Sequence, residues 1–164
     1  MNKILVGFFL LALLSTGCKY KLGHPEKLEG KKVYLEVKNR TFAPQIGPLL
    51  NRVIREELTK TGELELVLRQ SEAEYSVDVV LVDYQKSAEF FNPMDTLLAS
   101  GFQLVIKAEV EMRSMKNKKN TAKFSVFSES RVVRESANQL PRDRQALMNL
   151  TRTLGEKIAF RVRN

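Results

Sequence analysis

The sequence predicts an α+β fold: a two-layer sandwich in which two amphipathic helices pack on one face of a mixed, mostly antiparallel sheet. Three observations carry this. Phe102, Leu104, Ile106, Ala108, Val110 and Met112 alternate with polar or smaller neighbours, the period-2 pattern of a half-buried strand. Near the end, Leu147, Leu150, Leu154, Ile158 and Val162 recur at helical spacing. A shorter segment with the same period, Leu49, Leu50, Val53, Ile54 and Leu58, falls between strand signals near the start. Each helix has one apolar face to bury, and one side of a sheet is enough to take both.

The elements follow in order. Val33, Leu35 and Val37 alternate with Lys32, Tyr34, Glu36 and Lys38 as a first strand, and Asn39-Arg40-Thr41 turns the chain. The first helix is expected from about Pro48 to Thr61, started by Pro48 and stopped by Gly62. Leu64, Leu66 and Leu68 predict a second, short strand. A third, about Tyr75 to Gln85, is nearly continuous in apolar residues from Val77 to Val82, as a central strand is. Residues 86–100 hold Phe90, Phe91, Pro93, Met94, Leu97 and Leu98 without either period, and are expected to be a long apolar connection, with Phe90 and Phe91 as candidate partner contacts. The fourth strand turns at Lys116-Asn117-Lys118-Lys119-Asn120. The return strand carries Ala122, Phe124 and Val126 on one face and runs to about Val133, with Phe127 out of phase and suggesting a bulge. The second helix is expected from about Pro141 to the end.

Ahead of the fold stands a different kind of segment. Lys3 is followed by an apolar run, Ile4 to Leu14, within the 7 to 15 or so residues of a secretory signal and short of the roughly 20 that span a bilayer. It ends at Ser15-Thr16-Gly17-Cys18, and Cys18 is the only cysteine in 164 residues. Small residues before a cysteine admit a peptidase and offer a thiol for a diacylglycerol, so Cys18 is expected to become an acylated first residue. A covalent diacylglycerol and an N-acyl chain would be its only attached groups, with no cofactor. More than one acyl chain makes such an anchor stable. The expected organisation is 1–17 signal peptide, 18–31 anchor and tether, and 32–164 one domain. Lys19 stands where an acidic residue would retain the protein at an inner membrane, which favours the outer one.

The net charge is +8, falling by one if residues 1–17, with Lys3 and no acid, are removed. An exported basic domain points to an anionic partner: phosphorylated lipid, acidic polysaccharide or an acidic protein surface, and not nucleic acid. Lys116, Lys118 and Lys119 crowd the hairpin turn, with Lys107, Arg113 and Lys123 on its strands. Lysine heads donate to phosphates while their stems lie along apolar surface, so these six are the candidate phosphate contacts. The second helix adds Arg142, Arg144, Arg152, Lys157, Arg161 and Arg163. Catalytic and metal chemistry find little to work with. The single histidine, His24, lies in the tether without a ligand partner at useful spacing, and the eight glycines form no phosphate loop. Glu56 with Glu57 and Glu109 with Glu111 fall on solvent faces. The protein is therefore read as a non-enzyme.

Three segments resemble the LptE family of lipopolysaccharide-assembly lipoproteins: Cys18-Lys19-Tyr20-Lys21-Leu22-Gly23, a first strand ending Val37-Lys38-Asn39-Arg40-Thr41, and Ala73-Glu74-Tyr75-Ser76-Val77-Asp78-Val79 after the first helix. The resemblance spans nearly the whole mature chain in element order. It implies a lipid-anchored outer-membrane domain that plugs the LptD β-barrel and assists delivery of lipopolysaccharide (LPS) to the cell surface. Lipid A phosphates would then match the basic residues. Other outer-membrane lipoprotein adaptors, such as activators of peptidoglycan synthesis or secretion-pore subunits, are the alternative; a lipoprotein hydrolase comes third.

Overall fold

The computed structural model describes residues 28–164 except 29, 44, 61, 63, 93–94, 118–119 and 134–139. The signal, Cys18, His24 and nearly all of the tether lie outside the described residues, as do Lys118 and Lys119. The element order is β1 (Lys32–Asn39), α1 (Ile46–Thr59), β2 (Glu65–Val67), a 3₁₀ turn (Gln70–Glu72), β3 (Tyr75–Asn92), β4 (Asp95–Ser114), β5 (Thr121–Val133) and α2 (Leu140–Arg163). The strands form one sheet in the order β2-β1-β3-β4-β5. β1 is parallel to both β2 and β3, whereas β3, β4 and β5 are antiparallel. The expected mixed, mostly antiparallel sheet with both helices against it is what the chain forms.

The core lies between that sheet and the helices. Val33 and Leu35 of β1, Val77 and Val79 of β3 and Ile106 and Ala108 of β4 are buried on one side of the sheet. Leu50, Ile54 and Leu58 of α1 and Leu150, Leu154 and Ile158 of α2 are buried in the same cluster. Each such side chain contributes about 1.5–3 kcal/mol by leaving water. The helical faces are those the sequence period marks. α1 begins at Ile46, ahead of Pro48, because Ile46 is fully buried and worth ordering. Proline remains compatible there, since first-turn N–H groups lack intrahelical acceptors anyway. Gly62, at φ 66°, takes the left-handed conformation that ends the helical segment.

Four expectations are corrected. Residues 86–100 are not a loop: β3 runs to Asn92 and β4 starts at Asp95, so the two strands continue as an antiparallel arm. β1 stops pairing with β3 at Leu81, and β5 stops pairing with β4 at Gly101. The outer arm therefore extends past both neighbouring strands, and the apolar period fades. Second, β4 and β5 pair without interruption from Gly101 opposite Val133 to Arg113 opposite Thr121. Phe127 stays in register and simply faces solvent, while Val126 and Ser128 face the helices. The irregularities lie in the β3–β4 pairing instead, the first a bulge of β3 between Leu81 and Asp83. It turns Tyr84 toward the helices, where an unbroken alternation would have put Asp83. Third, the second strand is only three residues long and does not bury Leu64, Leu66 and Leu68 as a set. Leu64 and Val67 are buried and Leu68 is exposed, because the edge strand takes its register from β1, Lys32 opposite Glu65. Fourth, α1 starts two residues before the expected Pro48.

Candidate functional site

β5 is one of the sheet's two edges, and an edge strand presents unpaired carbonyls to solvent. Two cations of α2 occupy part of it. Lys157 Nζ donates to the Phe127 carbonyl at 3.1 Å, and Arg161 Nη1 donates to the Ser125 carbonyl at 3.3 Å. The spacing of four residues puts both side chains on one helix face, while alternate residues of β5 aim their carbonyls the same way. The same cations lie over rings: Lys157 Nζ is 5.4 Å from the Phe127 centroid and the Arg161 guanidinium 5.7 Å from that of Phe124.

Around this edge opens a cleft of about 600 Å³, with Phe127, Phe160, Lys157, Arg161 and Arg163 in its lining. Phe127 and Phe160 are both exposed. Arg163 Nη1 reaches the Glu57 carbonyl at 3.5 Å, tying α2 to α1. Glu57 also lines the cleft, and its carboxylate is held by Lys60. Apolar rings flanked by cations suit an amphiphile with anionic groups.

The structure divides the six basic residues singled out in the sequence. Arg113 donates to Asp78 on the open face of the sheet and lies 3.8 Å from Glu111. That hydrogen bond, then the Asp78 charge, raises the guanidinium pKa above its ordinary value. Lys123 pairs with Glu111 at 3.3 Å. Lys107 stands farther along the sheet, opposite Asp83 and Phe127. Lys116 is exposed in the β4–β5 turn. Phe90 and Phe91 are exposed on the arm; a Cβ on Gly101 would lie 2.5 Å from Phe90 Cδ2, so glycine is what lets that ring sit there. Of the carboxylate pairs, Glu56 accepts from Arg52 at 2.7 Å and Glu111 is engaged as above. Among the described residues no group of His, Cys, Asp or Glu is arranged to hold a metal ion.

Phe127 and Phe160 carry no ligand signal in the sequence, where Lys157 and Arg161 stand out only as helix charge. The four-residue spacing of the two cations was visible, but nothing local showed that β5 would be the edge beneath them. Phe42, likewise without a signal in the sequence, is fully exposed at 104%. The loop carrying it is held by Asn39, whose Oδ1 accepts from Thr41 N at 2.9 Å and Thr41 Oγ1 at 2.7 Å, while Nδ2 donates to the Ala43 carbonyl at 2.7 Å. The Asn-x-Thr segment is thus an Asx turn. Replacing Asn39 by Ala should cost about 1–2 kcal/mol in urea denaturation, and Asn39→Asp, which keeps the acceptor alone, should fall between.

The two ends of the sheet differ. Leu28 is buried, and Lys31 N donates to its carbonyl at 2.9 Å. Glu74 N donates to the Lys32 carbonyl and Met115 N to the Glu74 carbonyl, both at 2.8 Å. The place where the chain enters the fold therefore adjoins the β4–β5 turn. Phe90 and Phe91 lie at the opposite end of β3, roughly 50 Å away at about 3.3 Å per residue.

Comparison with known proteins agrees with this architecture. The model of the family LptE, described as lipopolysaccharide-assembly, matches residues 30–162. No curated protein sequence matches. Among solved structures, the chain is similar to CT253 from Chlamydia trachomatis, with a TM-score of 0.59 at 9% identity over 81% of this chain and 95% of that one. Rare lipoprotein B from Shewanella oneidensis gives a TM-score of 0.52 at 13% identity, over 80% and 89%. Lipoprotein B from Nitrosomonas europaea gives 0.52 at 14%, over 86% and 87%. At these identities the likeness is one of fold.

Proposed function

The chain belongs to the lipopolysaccharide-assembly family LptE, and we propose that it is a non-enzymatic, lipid-anchored outer-membrane subunit that seats in an LptD-like β-barrel and assists passage of LPS. Acylation at Cys18 supplies the anchor in this reading. No described helix is long and apolar enough to cross a membrane. The exposed Phe90 and Phe91 of the arm are the candidate contacts with the barrel.

LPS contact is assigned to the cleft beside β5. The observation that carries this is the convergence of Phe127 and Phe160 with Lys157, Arg161 and Arg163. Rings take acyl or sugar surface, and charge-assisted donors take lipid A phosphates. Arg113 and Lys123 are less available, being engaged by Asp78 and Glu111.

Charge reversal at Lys157→Glu with Arg161→Glu should weaken LPS binding by the purified protein at least tenfold, since hydrogen bonds to charged groups contribute about 1.5–3 kcal/mol each. Unchanged affinity would remove the cleft from consideration. Solubilised outer membranes should yield the protein together with a large β-barrel. Recovery of a peptidoglycan synthase, or of homo-oligomeric rings, would sink the barrel partnership.

A further inference from the structure

We propose that the end of the sheet where the chain enters the fold is a second, electrostatic membrane contact, binding the phosphate headgroups of the leaflet that holds the Cys18 acyl chains. It rests on the acylation of Cys18 proposed above. Nine residues, 19–27, separate Cys18 from Leu28, and the ten residue steps between them span at most about 36 Å. Leu28 is packed into the core, so the membrane surface lies within that reach of this end. The roughly 50 Å from Tyr75 to Phe91 along β3 keeps the aromatic end away from it.

Backbone hydrogen bonds bring a distant part of the sequence to the same end. Lys32, Glu74 and Met115 are linked in series, so the β4–β5 turn stands beside the point where the tether arrives. Met115 and Lys116 are both exposed there. Lys31 faces Glu74 at 3.6 Å in a half-buried pair, and Lys32 faces Glu65 at 3.8 Å in an exposed one that restrains it little. Lys116 has no acidic partner among the described residues. The tether leading in carries Lys19, Lys21 and Lys27 against Glu26 and Glu29. Basic residues next to a lipid anchor are drawn to an anionic leaflet, and each lysine near the surface strengthens binding by about fivefold. Anionic lipid is preferred to an acidic protein because the tether keeps this end within about 36 Å of the bilayer.

Cys18 is the only cysteine, so the mature chain carrying Cys18→Ser accepts one label at a chosen site and binds without acyl help. Two versions, Met115→Cys and Phe91→Cys, are labelled with an environment-sensitive fluorophore and mixed with phosphatidylcholine vesicles containing or lacking about a third phosphatidylglycerol. The expected result is a blue shift at position 115 only with phosphatidylglycerol, reversed by 0.5 M salt within the screening expected of exposed charges, and none at position 91. Adding Lys116→Glu should weaken binding about fivefold or more. A response at both positions, at 91 alone, or none in phosphatidylglycerol overturns the contact. Because these chains lack the acyl site, that failure is separate from failure of the anchor. The anchor is read independently by the mass of the membrane-extracted protein, where an unmodified Cys18 would overturn it.

Discussion

Leu154→Ala should lower the stability of the folded chain by about 3 kcal/mol, within the 2–5 kcal/mol typical of emptied core sites. Leu154 is fully buried on the face of α2 that meets the sheet, in one cluster with Leu50 and Ile54 of α1 and Ile106 of β4. Truncation removes the transfer energy of the lost carbons and leaves a space that three elements would have to close together. The urea midpoint should drop with little change in slope, because the surface exposed on unfolding is nearly the same. The thermal midpoint should fall by roughly 6 to 12 °C for a chain of this length. Met148→Ala on the same helix should stay within about 0.5 kcal/mol, since Met148 is exposed. Equal losses at both positions would mean that α2 does not pack on the sheet as described.

Gly155→Ala should destabilise despite alanine's better helix propensity. A Cβ at position 155 would stand 2.5 Å from Val53 Cγ1 and 3.1 Å from Val53 Cβ, across the contact between the two helices. Valine in a helix is confined almost to one rotamer, so its methyl cannot swing away and the helices must part. Overpacking of this kind costs about 1–3 kcal/mol, against a propensity gain of about 1 kcal/mol. The decisive comparison is a double-mutant cycle. In a Val53→Ala background the clash is gone, and Gly155→Ala should become stabilising by up to about 1 kcal/mol. A destabilisation that persists in that background would locate the cause elsewhere.

Both sites show what can be read ahead of a structure. The face of α2 was legible because Leu147, Leu150, Leu154, Ile158 and Val162 keep one period along the whole helix, and β4 was legible for the same reason. These elements bury one side against a continuous layer, and the sequence carries that asymmetry. Gly155 carried no such mark, because what needs it is Val53, about a hundred residues away. The arm was missed because it outruns β1 and β5, the neighbours beside which the rest of the sheet keeps its alternation. Phe127 misled in the opposite sense, being apolar on a solvent face where Lys157 lies over it. The cleft was only half legible: its cations were visible as helix charge, while strand order placed β5 beneath them. The two ends of the sheet became distinct only when the bonds through Lys32, Glu74 and Met115 fixed which turn lies beside the tether.

The bulge at Val82 has a consequence for how this chain tolerates change in length. Leu81 pairs with Ala108 and Asp83 with Lys107, so Val82 is surplus to the pairing. A chain lacking it would still offer Asp83 and Gln85 to one side and Tyr84 and Lys86 to the other, with the strand merely straightened. Elsewhere along a strand, losing one residue turns every later side chain over. Val82 thus works as a slack link: it can be lost while the arm beyond it keeps its own frame and the helices below hold their packing.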